Sequence, residues 1–183
     1  MATQASTAAL VAALYRVDGK AEIVAGEIVL MSPTGGLPSR AAAAIYRSLW
    51  DYERRTRSGR AYTDNVGFLV DLPQRKSFSP DASFHVGPSP GPNFLQGAPI
   101  FAAEVRSEDD YGPAAERAMA QKRADYFAAG TQVVWDVDVL REGLIRAYRA
   151  TEPDPPAIYR RGERAEAEPA LPGWTFPVDE IFE

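Results

Sequence analysis

The 183-residue sequence contains no cysteine. That removes disulfide scaffolds, thiol nucleophiles, zinc fingers and iron–sulfur sites together, and it fits a reducing cytoplasm. There is one histidine, His85, too few for histidine-rich metal centres or paired-imidazole acid–base chemistry, so a bound metal must take oxygen ligands. No stretch approaches the roughly 18 consecutive apolar residues of a membrane span. The segment from Met1 to Leu14 also lacks the basic start and apolar run of a secretory leader. A cytoplasmic protein with no membrane partner is the expectation. Basic residues are in deficit, 20 Lys and Arg against 25 Asp and Glu for a net charge of −5. This excludes a surface basic all over but leaves room for a local basic patch. There is no Gly-x-Ser-x-Gly elbow for His85 to serve, no P-loop and no dinucleotide glycine pattern.

What is present is ordinary globular material, 45% hydrophobic and 25% charged, in a length that suits one domain over residues 1–183. Ser6 to Tyr15 reads as helix and Ala21 to Met31 as a hairpin reversing at Ala25-Gly26. Pro38 to Arg57 carries Ala42, Ile45, Leu49 and Tyr52 at spacings of three and four, a long amphipathic helix. Arg40, Arg47 and Arg54 recur along it every seven residues and form roughly one stripe, followed by Arg55, Arg57 and Arg60. Ala61 to Leu72 and Ser79 to Val86 read as strands; alternation in the second groups Asp81, Ser83 and His85 on one face. Ile100 to Val105 is apolar apart from Glu104, as in a central buried strand. A helix then runs from Pro113 to about Ala129, stopped by Gly130. Strands follow at Gln132 to Val137 and Gly143 to Tyr148, then a loop at Glu152 to Pro156. A C-terminal segment is expected to pack Trp174, Phe176, Ile181 and Phe182 onto the body.

Three charged residues stand where the local sequence demands burial: Asp81 after Pro80, Glu104 closing the apolar run, and Lys122 on the helical stripe of Ala115, Met119 and Tyr126. Each has an ordinary use alone: Asp81 as a turn or cap residue, Glu104 in an ion pair with Arg106 or Lys122, Lys122 with its stem along the surface and its head in water. Together they suit one chemistry. Two carboxylates on neighbouring strands, with a strand carbonyl such as that of Val105, supply the hard oxygen ligands of Mg²⁺ or Mn²⁺. A lysine beside them orients water or neutralises charge developing on a phosphoryl group.

Pro80-Asp81, Glu104-Val105-Arg106-Ser107, and Lys122 with Tyr126, Gly130 and Trp135 to Asp138 resemble the PD-(D/E)xK nuclease superfamily, specifically its Uma-type restriction endonuclease group. Upstream, Glu22 to Glu27 and Met31 to Gly35 resemble that group's opening hairpin and loop, and Ala170 to Phe182 its closing segment. The resemblance covers Tyr15 to the C-terminus. It implies an α/β (α+β) restriction-endonuclease-like fold, a mixed central β-sheet flanked by α-helices, and a Mg²⁺- or Mn²⁺-dependent endonuclease that hydrolyses DNA phosphodiester bonds. Carried over, Asp81, Glu104 and Lys122 are the catalytic set, and Asp81, Glu104 and Val105 hold the metal. Glu22 and Glu27 in the hairpin, with Arg106, Ser107 and His85, are accessory candidates; the ordinary reading of His85 is a surface residue at a loop end, and that of Ser107 is a turn former. Arg40, Arg47 and Arg54 would receive the DNA backbone. A homodimer or higher homo-oligomer follows by analogy.

Two departures stand out. Arg106 occupies the position where the superfamily often has its lysine, which shifts that role to Lys122. Leu37-Pro38-Ser39 stands where the group often has a histidine. A second reading, from a different class, is a nuclease fold that binds nucleic acid or protein without cleaving, its carboxylates kept as a charge-balanced core.

Overall fold

The computed structural model describes residues 6–183; residues 1–5, the start of the segment lacking a leader pattern, lie outside it. Helix α1 (Thr7–Leu14) is capped by the Ser6 hydroxyl, which accepts from the Ala9 N–H. The antiparallel hairpin β1 (Ala21–Val24) and β2 (Glu27–Leu30) turns at Ala25-Gly26, both at positive φ. Helix α2 (Gly36–Thr56) buries Ala41, Ile45, Leu49 and Tyr52, one stripe at helical spacing. Strand β3 (Arg60–Thr63) follows, then β4 (Phe68–Leu69), β5 (Ser77–Phe78), β6 (Ala82–His85), β7 (Leu95–Gln96) and β8 (Phe101–Val105). Helix α3 (Pro113–Ala128) starts on a proline and ends against Gly130, whose φ of 105° few other residues adopt. Strands β9 (Val133–Asp138), β10 (Leu144–Arg149), β11 (Glu152–Arg160), β12 (Arg164–Glu166) and β13 (Thr175–Pro177) lead to a 3-10 helix, Val178–Phe182.

The central sheet has the order β11-β10-β9-β8-β6-β3. It is mixed: β8 and β9 are parallel, joined through α3, and the other neighbours are antiparallel. Alternation along β8 divides the molecule into two layers. Phe101, Ala103 and Val105 face a core made with α2 and the C-terminal segment, while Ala102 faces one made with Phe68, Phe78 and Tyr126 of α3. In the first core Trp135 stacks on Trp174 at 5.0 Å and meets Phe101 edge-on at 5.1 Å. Trp174→Ala is therefore expected to cost about 3–5 kcal/mol in a urea unfolding measurement. Among the described residues no helix is long and apolar enough to cross a membrane.

Two expectations are corrected. Ala61 to Leu72 is two strands in two sheets, because Asn65 adopts φ 62° and donates its N–H to Asp64 Oδ1 at 2.7 Å, turning the chain between β3 and β4. Glu152 to Pro156 is not a loop but the first half of β11. As an edge strand it tolerates prolines, whose missing N–H groups the ladder does not need there, and the β10 pairing shifts register opposite them.

Candidate functional site

The parallel β8–β9 pair and the antiparallel β6–β8 pair bring the three charged residues to one end of the sheet. Asp81 sits just before β6; its N–H donates to the Ala103 carbonyl at 3.1 Å and its Oδ2 accepts the Val105 N–H at 2.7 Å. Backbone pairing thus fixes this carboxylate beside the end of β8. Glu104 points to the α3 side of the sheet, where its Oε1 accepts the Tyr126 hydroxyl at 2.7 Å and lies 2.9 Å from Lys122 Nζ. Lys122 and Tyr126 are one turn apart on α3, so one helical face delivers both to the same oxygen. Asp81, Glu104 and Lys122 line one cleft of 750 Å³ between the β1–β2 hairpin, the sheet end and α3. Asp81 and Val105 also line a 320 Å³ cleft against α2, with Pro38, Ser39 and Tyr46. No imidazole stands at that wall.

Glu22 belongs to the same cluster. It is 2% exposed, its Oε1 is 2.9 Å from Lys122 Nζ and accepts the Ser79 N–H at 2.8 Å, and its Oε2 accepts from Arg75 at 2.5 Å. Burial alone would raise the Glu22 carboxyl, but Lys122 and Arg75 outweigh it and hold it below the usual range. A carboxyl depressed in the folded state stabilises above its unfolded pKa, so this contribution is complete above about pH 4.5 and is lost as pH falls through the lowered value. Acid unfolding followed by circular dichroism is expected to show a shallower pH dependence in Glu22→Gln than in the parent.

Glu104 is shifted the other way. Burial pushes it up, as do the neighbouring Asp81 and Glu22 carboxylates, and the Lys122 and Lys20 ammoniums only partly offset them. Burial would lower Lys122, yet Glu104 and Glu22 keep it above the ordinary lysine range. The Tyr126 phenol is raised well above its ordinary value by burial and by the same two carboxylates, so at neutral pH it is a hydrogen-bond donor.

The other candidates divide. Arg106 is 5% exposed and its guanidinium is committed: both Nε and Nη2 donate to Asp136 at 2.7 Å, and Nη1 donates to Glu116 at 2.5 Å. It clamps the start of α3 to the sheet. Arg106→Met leaves the buried Asp136 with Arg146, 3.9 Å away, as its nearest ion-pair partner among the described residues; a loss of about 3–5 kcal/mol in urea unfolding is expected. Ser107 donates its N–H and hydroxyl to Asp110 Oδ2 at 2.7 and 2.8 Å, shaping the turn after β8. Glu27 is exposed beside the hairpin turn and lines neither cleft. The expectation of a surface histidine is overturned: His85 is 5% exposed, packs on Phe68, and its Nε2 meets the Gln96 carbonyl at 3.3 Å. It lines neither cleft, because it occupies the opposite end of β6 from Asp81. Arg40, Arg47 and Arg54 are exposed on α2. Arg40 donates to the Glu183 carbonyl at 2.5 Å and Arg47 pairs with Glu180 at 3.2 Å.

Lys20, Asp64 and Arg75 were not singled out by sequence reasoning. Lys20 Nζ bridges Asp81 Oδ1 at 2.6 Å and Asp64 Oδ1 at 2.7 Å, and although burial would lower it, Asp81 and Glu104 keep it above its ordinary value. The signal for Lys20 was its position two residues before Glu22, which places both on one side of an extended segment.

A six-stranded mixed sheet with α2 on one face and α3 on the other, and charged side chains gathered at one sheet end, is a restriction-endonuclease-like architecture. A crystal structure described as that of "a putative nuclease belonging to DUF820", from Anabaena variabilis ATCC 29413, has this fold; it superposes with a TM-score of 0.75 at 14% identity, covering 94% of this chain and 97% of that one. Residues 11–179 match the Uma2 family, described as "Putative restriction endonuclease", and the chain belongs to that family. No curated protein sequence matches it.

Proposed function

We propose that this single-domain protein is a Mg²⁺- or Mn²⁺-dependent endonuclease acting on DNA, with Asp81, Glu104 and Lys122 as its catalytic residues. One observation carries the reading: Asp81, Glu104 and the Lys122 ammonium line a single cleft, with Lys122 2.9 Å from Glu104.

The donor chemistry fits a hard divalent ion. Glu104 is shifted upward by burial first and then by two neighbouring carboxylates, so added positive charge is favourable there. Among the described residues no group of three His, Asp or Glu side chains could hold a metal ion. The proposed ligands are therefore two carboxylates, Asp81 and Glu104, and the main-chain carbonyl of Val105. Such a short list suits Mg²⁺, which keeps several of its waters. Held by these residues, a divalent ion would supply Lewis-acid polarisation of a phosphoryl oxygen and would lower the pKa of a water enough to yield hydroxide, the nucleophile, near neutral pH. Tyr126 holds Glu104 in orientation, and the Val105 N–H holds Asp81. Lys122 neutralises charge growing on the phosphoryl oxygens, its own charge secured by Glu22. A homodimer would set one such cleft against each strand of a duplex, which sedimentation velocity tests.

Incubation of supercoiled plasmid with protein and Mn²⁺ tests the activity. Nicking by the parent and its loss in Asp81→Ala and Lys122→Ala are expected; equal nicking by all three, or by none, contradicts it.

One observation favours the second reading, a nuclease fold that binds without cleaving. Each carboxylate already has a cation: Lys20 for Asp81, Lys122 for Glu104, and both Lys122 and Arg75 for Glu22. A cluster of buried ion pairs of this kind holds its carboxylates without a metal. An unchanged melting temperature on Mn²⁺ titration, with nucleic-acid binding retained, selects it.

A further inference from the structure

The α2 arginines are not equivalent: Arg40 donates to the Glu183 carbonyl and Arg47 pairs with Glu180, both in the C-terminal segment, whereas Arg54 has no ion pair among the described residues. A line at four-residue spacing crosses this arginine row at Arg54 and leads elsewhere. Ser39, Ala42 and Tyr46 line the smaller cleft together with Asp81 and Val105. Residues four apart on a helix drift by only ~40°, so this line continues from Tyr46 to Trp50 and then to Arg54, with Arg57 following at the helix end. It runs about 12 Å along the axis between Tyr46 and Arg54, beside the sheet's edge strand β3.

Three observations separate this stripe from ordinary surface. Trp50 is 42% exposed, whereas Trp135 and Trp174 are 0% and 2% exposed. Its ring lies 6.1 Å from that of Tyr46, tilted by 46°, so two aromatic rings lead away from the cleft. Arg54, Arg57 and Arg60 are exposed and make no ion pair among the described residues. The nearby acid Glu53 is occupied, its Oε2 accepting the Ala61 N–H at 2.7 Å on the outer side of β3. Asp51 points ~100° away from Trp50 around the helix and, although three residues before Arg54, makes no ion pair with it.

An exposed tryptophan beside a part-buried tyrosine, followed by unpaired cations, is the kind of surface that single-stranded nucleic acid recognises, through base stacking and phosphate neutralisation. In a duplex the base faces cover one another, so only an unpaired base can lie on Trp50. We propose that Tyr46, Trp50, Arg54 and Arg57 form a track for a single-stranded segment, with an unpaired base stacked on Trp50 and the backbone led toward Asp81. This deepens the nuclease reading and rests on it for what happens at Asp81, but binding to the track needs no metal.

The test uses the full chain in EDTA, with a twelve-nucleotide oligo(dT) and a twelve-base-pair duplex as probes. Oligo(dT) is expected to quench tryptophan emission and to bind more tightly than the duplex. Trp50→Ala should remove the quenching and weaken oligo(dT) binding about tenfold, and Trp50→Phe should restore most of the affinity. Arg54→Ala with Arg57→Ala should lower the slope of log affinity against log salt by about 1.4. Equal affinity for both probes, or oligo(dT) binding indifferent to Trp50→Ala in a protein with parental circular dichroism, overturns the track. Mn²⁺-dependent nicking by the same preparations reports on the cleft separately. Nicking with no Trp50 effect defeats the track alone, and quenching without nicking defeats the cleavage reading alone.

Discussion

Lys122→Met is expected to lose about 3–5 kcal/mol of unfolding free energy at pH 7 and to lose nicking activity. Methionine keeps the length and the apolar stem of the side chain, so the change removes little besides the charge. What remains is a carboxylate pair, Glu22 and Glu104, each 2.9 Å from the missing ammonium. Glu22 keeps Arg75, but among the described residues Glu104 keeps only the Tyr126 hydroxyl as a hydrogen-bonded side-chain partner. The penalty should shrink on acidification. The Glu104 carboxyl is already raised in the folded protein, and without Lys122 it rises further, so it takes up a proton before its unfolded counterpart does. Stability of the variant therefore falls as pH rises from about 4.5 through the raised value and recovers as pH returns. Adding Glu104→Gln to Lys122→Met should recover part of the loss at pH 7. A penalty under about 1 kcal/mol, of the size seen for exposed pairs, would mean that the ammonium does not serve these carboxylates.

Asp81→Asn is expected to weaken Mn²⁺ binding by about a hundredfold or more and to lower nicking at least as much, because it removes a proposed ligand and not merely a support for one. At Mn²⁺ one hundred times its dissociation constant, the parent should gain about 2.7 kcal/mol of stability and the variant almost none. The fold should survive, since Lys20 retains Asp64 at 2.7 Å and the asparagine still pairs through its backbone with Ala103. Differential scanning calorimetry with and without Mn²⁺ reads the difference directly; an identical shift in both proteins contradicts the ligand assignment.

Much of this arrangement was legible in the sequence because burial and periodicity act locally. The apolar run ending in Glu104 had to be a central strand, and the Ala115, Met119, Lys122, Tyr126 stripe had to be the inner face of a helix. The half-buried ammonium on that stripe therefore had to find carboxylate. The Ser107 turn was equally local. What escaped were properties set by partners remote in sequence. Lys20 reaches Asp81 across 61 positions, and Arg75 reaches Glu22 across 53. His85 looked like a loop end but is covered by Phe68 from another sheet. The prolines of Glu152 to Pro156 argued for a loop until the sheet order made that segment an edge strand, where missing N–H groups cost little. The seven-residue arginine spacing was visible too, but not the C-terminal segment, where Glu180 pairs with Arg47 and the Glu183 carbonyl accepts from Arg40.

The end of β8, where Asp81 accepts the Val105 N–H beside Glu104, is the proposed metal site. Anomalous scattering from crystals soaked in Mn²⁺ tests it most directly. The prediction is one or more Mn²⁺ peaks within about 2.0–2.3 Å of Asp81 and Glu104 carboxylate oxygens, with Lys20 released from Asp81. Crystals with Mn²⁺ elsewhere or nowhere, and Lys20 and Lys122 still closing the ion pairs on Asp81 and Glu104, would contradict the metal-dependent nuclease.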